Sequence, residues 1–243
     1  MQIIQSKLLN KFPNLLHYFT SREDGNIAFH IEDKIERVMT HHKELAKKLN
    51  YDKERLVHMQ QVHSNTVYIV SHDENFHTPP QCDALITNEL NKPLMVMVAD
   101  CTPLLFFEPD TNVIAVAHAG RAGAFLNIVK EVLDVFTEKF DAKKEHIHVS
   151  VGPNIKQCCY EVGEEIYKEA QALSLEYALT KREGSYYLDV TQIIMKQLLQ
   201  EGVVEKNIET LHSCSACTKE LYSYRRDGNE GRFAGVVMLR ESD

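Results

Sequence analysis

The sequence predicts an α/β protein, a single layered domain over residues 1–243 with mixed β-sheets flanked by helices. Three observations carry that reading. PLMVMVAD (93–100) and VIAVAH (113–118) are short apolar runs rich in branched residues, as buried strands are. AFLNIVKEVLDVFTEKF (124–140) sets Phe125, Ile128, Val129, Val132, Phe136 and Phe140 on one helical face. Strands and helices alternate only in part, which favours mixed sheets over a strictly parallel one.

The remaining elements follow in order. DKIERVMTHHKELAKKL (33–49) carries Ile35, Val38, Leu45 and Leu49 at roughly helical spacing, with lysines near its end. LVHMQQVH (56–63) and TVYIV (66–70) read as two strands around a Ser64-Asn65 turn. Glu108-Pro109-Asp110 and Asn112 mark the turn between the runs at 93–100 and 113–118. HIHVSV (146–151) is a further strand, helices are expected at 163–173 and 191–201 with Gly202 closing the second, and RFAGVVMLR (232–240) is the last strand. No repeat, low-complexity tract or Pro/Gly/Ser linker divides the chain.

With 243 residues, 44% hydrophobic and 26% charged, the chain has enough apolar residues to bury a core. Its net charge of −8 argues against bulk attraction to nucleic acid or anionic lipid. MQIIQSKLLNKF has no long apolar core or small-residue cleavage site, so no secretory leader is expected. The longest apolar stretch, PLMVMVADCTPLLFF, contains an aspartate and two prolines and is no membrane helix. A cytoplasmic protein is expected. Cys82, Cys101, Cys158, Cys159, Cys214 and Cys217 are too few in a chain this long for a disulfide scaffold. The fingerprints GxGxxG and GxxxxGK[ST] are absent, so nucleotide binding by those devices is unsupported.

His63, Cys101 and His118 each lie at the end of an apolar run, where separate strands can bring side chains to one sheet edge. Two imidazoles and a thiolate leave a fourth position open, the arrangement of catalytic rather than structural zinc. Spacing alone leaves open whether these residues coordinate a metal or merely pack. His41, His42, His146 and His148 read as core or surface histidines. Cys214-x-x-Cys217 could join Cys158-Cys159 in a four-thiolate site. That requires two distant segments to meet, and adjacent cysteines chelate poorly, so small buried residues near a pocket is the preferred reading.

Two arginine-bearing segments suit anions. HAGRAGAF (118–125) is a glycine-rich turn from strand into helix, with Arg121 inside it. SYRRDG (223–228) joins Tyr224 to Arg225 and Arg226, groups able to stack on a base or grip phosphate; surface arginines in a loop are the plainer alternative. Asp100 joins the substrate-binding set, and with Thr102 it flanks Cys101, where both could orient ligands or water.

QVHSNTV, CDALITN, VADCTPLLFFEP, AVAHAGRAG, VGPNIKQCCYEVG and SCSACTKELYSYRRDGNEGRFAGVVML occur in order over residues 60–240. Together they resemble the YfiH-type family of laccase-domain proteins, described as multicopper polyphenol oxidases and as purine nucleoside phosphorylases. The resemblance implies a YfiH-like fold and metal ligands at His63, Cys101 and His118, with Zn2+ favoured over Cu2+. It implies phosphorolysis of adenosine, inosine, guanosine and methylthioadenosine, and deamination of adenosine. The implied partners are a purine nucleoside and phosphate, with a homodimer compatible. Where the family commonly reads HAGWRG, Arg121-Ala122 stand for Trp-Arg, so the anion contact there is displaced, weakened or rebuilt. The family's Asn-Arg on the first helix is His41-His42 here, and its glycine-rich opening is reduced to SREDGNIAFHI. These departures bear on substrate range more than on the metal.

Three rivals remain. A copper-dependent polyphenol oxidase would need four coppers and more histidines than the triad supplies. A cysteine hydrolase or peptidoglycan-editing factor would use Cys101 as nucleophile and His118 as base. A non-enzymatic metal- or nucleotide-binding partner of the division or cell-wall machinery would bind without turnover.

Overall fold

The apolar runs are continuous rather than alternating because both faces of their strands are covered. The computed structural model describes residues 5–241; Met1 to Ile4 of the MQIIQSKLLNKF segment and the last two residues lie outside that range. In chain order the elements are β1 (Leu15–Phe19), α1 (Ile35–Leu49), β2 (Val67–Ile69), β3 (Ala84–Thr87), β4 (Leu94–Val98), β5 (Thr102–Glu108), β6 (Val113–Ala119), α2 (Arg121–Phe125), α3 (Ile128–Phe140), β7 (His148–Val151), β8 (Glu161–Val162), α4 (Glu164–Ala172), β9 (Leu179–Arg182), β10 (Ser185–Leu188), α5 (Val190–Gln200), β11 (Ile208–Thr210), α6 (Tyr224–Asp227) and β12 (Phe233–Leu239).

A six-stranded sheet runs in the order β11-β7-β5-β6-β3-β2, a three-stranded sheet in the order β1-β12-β4, and a small sheet in the order β8-β10-β9. The large sheet is mixed: β11 with β7 and β2 with β3 are parallel, and its other pairs are antiparallel. The α/β mixed-sheet class expected from the sequence is the one observed.

The period-two geometry of strands sorts the core into layers. In β5, Leu104 and Phe106 face a cluster containing Val129 and Phe136 of α3 and Ile193 of α5. Leu105 and Phe107 face the other way, onto Leu94 and Val96 of β4 and Val237 of β12. The far side of the three-stranded sheet, through Met95, Met97 and Val236, packs on Leu45 of α1. Helices α3 and α5, the six-stranded sheet, the β1-β12-β4 sheet and α1 therefore stack as four layers with a core at each junction. Truncating a side chain such as Phe106, fully buried here, costs about 3–5 kcal/mol by the usual core-cavity penalty.

Several expected elements are redrawn. The helix at 124–140 is two helices: Asn127 turns left-handed (φ 57°) and its side chain caps α3 by accepting the Lys130 amide. Its apolar face is kept, with Phe125, Ile128, Val129, Val132 and Phe136 buried. The hairpin around Ser64-Asn65 does not form. Val57 and Gln60 make only isolated bridges, to Leu94 and Gln81, and β2 runs parallel to β3. The strand expected at 93–100 is β4 of the β1-β12-β4 sheet, and residues 102–108 form a further strand, β5 of the six-stranded sheet, with Asp100 (φ 87°) at the crossing. His146 ends a short 3-10 turn, and the strand begins only at His148. His42 is buried and His41 is bonded to the Asn26 carbonyl at 2.7 Å, the placements expected of packed histidines. Among the described residues no helix is long and apolar enough to cross a membrane.

Candidate active site

Strand register builds the site. Antiparallel pairing sets Thr102 against Ala119 and Pro103 against His118, so β5 begins where β6 ends. β3 brings Ala84 alongside Ala117. Cys101 just before β5, His118 near the end of β6 and Asp83 just before β3 thus share one sheet edge. Ala117 and Ala119 face the helices, which turns the intervening His118 to the opposite side.

Asp83, fully buried, gathers the remaining histidine. Its carboxylate accepts the amides of Val62 (3.2 Å), His63 (3.0 Å) and Ser64 (2.7 Å), the Ser64 hydroxyl (2.8 Å) and His118 Nδ1 (2.8 Å). This is why Val62–Ser64 wraps into a loop instead of extending as a strand: its amides are spent on a carboxylate, and His63 adopts φ 62°. Burial pushes the Asp83 carboxyl up, but the His118 and Ser64 hydrogen bonds outweigh it and hold it at about 2. An ionised carboxylate only accepts, so His118 Nδ1 carries the proton and its other nitrogen is left for Cys101.

One donor atom from each of His63, Cys101 and His118 lies within 4.8 Å of the others. The two imidazoles meet edge to face, 4.9 Å between centroids. Burial pushes the Cys101 thiol up, yet the charge and hydrogen bond of His118, supported by His63, take it below the ordinary thiol value. Burial likewise pulls His118 down, while Cys101 and Asp83 take it above the ordinary imidazole value. Both directions favour a thiolate beside an imidazolium, an arrangement in which a metal cation can take the place of the proton.

The residues present fit such an ion. Two imidazoles and a thiolate with one side open is the donor set of catalytic zinc, and a carboxylate behind His118 is what fixes metal-ligating histidines. Gly120 completes the fit, since a Cβ there would stand 2.8 Å from Cys101 Sγ and 3.7 Å from His63 Cδ2.

The three donors open onto a cavity of about 1040 Å³ whose walls include Phe29, Tyr160, Tyr224, Arg121, Arg225 and Arg232. Arg121 Nη1 donates to Glu169 Oε2 at 2.6 Å, and its helix α2 is only five residues long. Arg225 lies 5.6 Å over the Tyr160 ring and donates to the carbonyls of Cys159 (3.4 Å) and Glu161 (2.9 Å). Arg226, its neighbour in sequence, is turned into its own loop. Its guanidinium donates to the carbonyls of Ser215, Ala216, Thr218 and Leu221 at 2.6–3.1 Å and to Asp227, and it does not line the cavity. Asp100 does line the cavity, but both its oxygens are occupied, by Ser215 Oγ and the Arg225 amide, each at 2.6 Å. The Thr102 hydroxyl is buried with no partner among the described residues.

Sequence reasoning left Asp83, Tyr160 and Arg232 without a role. Asp83 sits in CDALITN and Tyr160 in the CCYEVG run, both among the segments that carry the family resemblance. Arg232 likewise sits in the SCSACTKELYSYRRDGNEGRFAGVVML segment, and its place on the wall follows from its position just before β12. The reading of Cys158, Cys159, Cys214 and Cys217 as small buried residues does not hold. Cys158 and Cys217 are exposed, and all four thiols converge within 4.8 Å. Two loops meet because Asn154 bridges to Cys214 and the Ser215 amide donates to the Asn154 carbonyl at 3.1 Å.

Residues 18–240 match the family model described as multi-copper polyphenol oxidoreductase laccase. The chain belongs to that family. This laccase-family chain is 32% identical over 231 residues to a purine nucleoside phosphorylase of Corynebacterium glutamicum, covering 91% of this chain and 93% of that one. It is 33% identical over 219 residues to a purine nucleoside phosphorylase of Campylobacter jejuni, covering 88% and 91%. Among solved structures it resembles YlmD from Geobacillus stearothermophilus, with TM-score 0.88, 26% identity and coverage of 97% and 94%. It also resembles the hypothetical protein YfiH of Bacillus licheniformis, with TM-score 0.89, 25% identity and 93% of each chain covered. The resemblance drawn from the motifs is thus correct, and so is the YfiH-like fold it implied.

Proposed function

We propose that this chain is a zinc-dependent purine nucleoside phosphorylase that also deaminates adenosine. The observation that carries the reading is the convergence of His63, Cys101 and His118 at a cavity walled by aromatic rings and guanidinium groups. Relatives named as purine nucleoside phosphorylases over nearly the whole chain support it. Candidate nucleosides are adenosine, inosine, guanosine and methylthioadenosine. The whole chain, 1–243, is taken as one catalytic unit. Its six free cysteines suit the reducing cytoplasm.

In phosphorolysis a phosphate oxygen bonds to the anomeric carbon as the bond from that carbon to the purine nitrogen breaks. The base departs with the electron pair and takes a proton. Arg225 and Arg232 set positive charge on the wall where phosphate must be held, and Tyr160 and Phe29 offer ring faces to the purine. Arg121 must exchange Glu169 for the anion if it is to take part. Asp100 holds the Arg225 backbone in place through its own carboxylate. A zinc ion held by the triad would supply a Lewis acid that acidifies water for attack at adenine C6. Thiolate and imidazole donors suit copper as well as zinc. One set of three donors suits a single ion, whereas reduction of dioxygen to water by a laccase draws four electrons, which favours zinc here.

The test is turnover of inosine and adenosine by metal-analysed protein, with and without phosphate. Phosphate-dependent release of hypoxanthine is the result expected for phosphorolysis. Inosine formed from adenosine without phosphate is the result expected for deamination. His63→Ala should abolish both, and full turnover by a zinc-free His63→Ala protein would overturn the proposal. The Cys101–His118 pair also favours a second reading, a cysteine hydrolase with Cys101 as nucleophile. Chelation separates the two, since it silences a zinc enzyme and leaves a thiolate nucleophile free to react.

A further inference from the structure

We infer that Cys158, Cys159, Cys214 and Cys217 form a second metal site, a structural four-thiolate zinc centre that fastens two walls of the cavity to one another. The inference does not depend on the activity proposed above. In a tetrahedral zinc–thiolate centre, bonds of about 2.3 Å place the sulfurs roughly 3.8 Å apart. Here Cys158 Sγ and Cys217 Sγ are 3.8 Å apart, Cys159 Sγ and Cys217 Sγ are 3.3 Å apart, and all four sulfurs lie within 4.8 Å of one another. Four sulfurs this close can be ligands of a single ion.

The obstacle raised by adjacent cysteines is removed by the backbone. In a strand, Cys158 and Cys159 would point to opposite faces. They instead sit in a turn closed by the Cys159 and Tyr160 amides donating to the Lys156 carbonyl at 2.9 and 3.0 Å, and both thiols reach Cys217. Cys214-Ser215-Ala216-Cys217 is a turn as well, closed by the Cys217 and Thr218 amides on the Cys214 carbonyl at 3.1 and 2.9 Å. The Lys156 amide donates to Cys214 Sγ at 3.4 Å. On binding zinc, the four thiols release four protons to solvent and the centre carries two negative charges, with the Lys156 ammonium among the nearby charges.

The position suggests what the clamp does. Cys159 precedes Tyr160 on the cavity wall, and its carbonyl accepts from Arg225 at 3.4 Å. Ser215, between Cys214 and Cys217, holds Asp100 at 2.6 Å. Zinc here would lock the loop bearing Tyr160 to the loop leading to Arg225.

The experiment uses the full chain with His63→Ala and His118→Ala together, purified under reductant, so that the triad no longer holds metal. This protein should retain one zinc per chain after dialysis. X-ray absorption should show four sulfur ligands, and cobalt in place of zinc should give an intense sulfur-to-cobalt charge-transfer band. Adding Cys214→Ser and Cys217→Ser should remove that equivalent. Should the quadruple variant fail to fold, stripping the double variant with a chelator and restoring it with zinc alone gives the same readout, with circular dichroism recorded on each form. A double variant that takes up no zinc from excess metal, or in which mass spectrometry finds these cysteines paired as disulfides despite the reductant, overturns the inference.

Discussion

Asp83 and His118 are joined twice: His118 Nδ1 donates to the Asp83 carboxylate at 2.8 Å, and the His118 amide donates to the Asp83 carbonyl, also at 2.8 Å. The same carboxylate takes the His63 amide, so one buried acid sets both imidazoles relative to the Cys101 sulfur. Removing its charge should loosen both without deleting a donor. Asp83→Asn is expected to weaken zinc binding at the triad by about 10–100-fold, as loss of a group behind a ligand usually does. Competitive zinc titration against a chromophoric chelator checks this, and an unchanged affinity would show that Asp83 only braces the fold.

His63, Cys101 and His118 stand out in the sequence as candidates because each ends an apolar run, and the family motifs join them into one set; Asp83 does not stand out, because its role exists only once β3 lies beside β6. The same physics limits the fold reading. β4 and β5 are apolar on both faces, so no change of period marks Ala99–Cys101 as the passage from one sheet to the other. Asn127 could be read as a cap, but the apolar face continues across it and masks the break between α2 and α3. Arg225 and Arg226 are indistinguishable in sequence; only the turn of α6 sends one to the cavity and the other to its own loop.

That difference can be measured. Arg225→Ala should raise KM for phosphate or nucleoside by about tenfold, the loss of one charge-assisted contact, with little change in Tm. Arg226→Ala should leave KM nearly unchanged and lower stability by about 2 kcal/mol, because several carbonyls lose a charged donor. Steady-state kinetics and urea unfolding on both variants decide it. The reverse pattern would place the phosphate contact on Arg226.

Gly120 is constrained by the sulfur beside it and not by its backbone, whose φ is −73°. Gly120→Ala adds a methyl 2.8 Å from Cys101 Sγ, closer than real contacts allow, so the sulfur must shift. A displacement of that size in a site dependent on placement is expected to cost about a hundredfold in turnover. Thermal unfolding should change little, which separates a misplaced ligand from a misfolded protein. Wild-type kcat in Gly120→Ala would mean that Cys101 need not hold its present position.

His42 on α1 makes stability depend on pH. It is fully buried, stacked on Phe29 at 5.2 Å and edge-on to Phe76 at 4.9 Å. Its Nε2 donates to the Ile27 carbonyl at 2.8 Å, and Nδ1 has no partner among the described residues. Burial lowers its pKa from 6.5 to about 4; the Ile27 carbonyl opposes this, while His58, Lys53 and His41 add to it as positive neighbours. The unfolded chain therefore takes up a proton at His42 below pH about 6.5, and the folded chain does so only near pH 4. Stability should be complete above that window and fall as pH drops through it, by up to about 3 kcal/mol from this residue. His17 and His58, also lowered by burial, act in the same direction. Urea unfolding between pH 7 and pH 4.5 should show the decline. His42→Gln, whose amide mimics Nε2 without titrating, should flatten it, and an equally steep decline in that variant would assign the dependence to other groups.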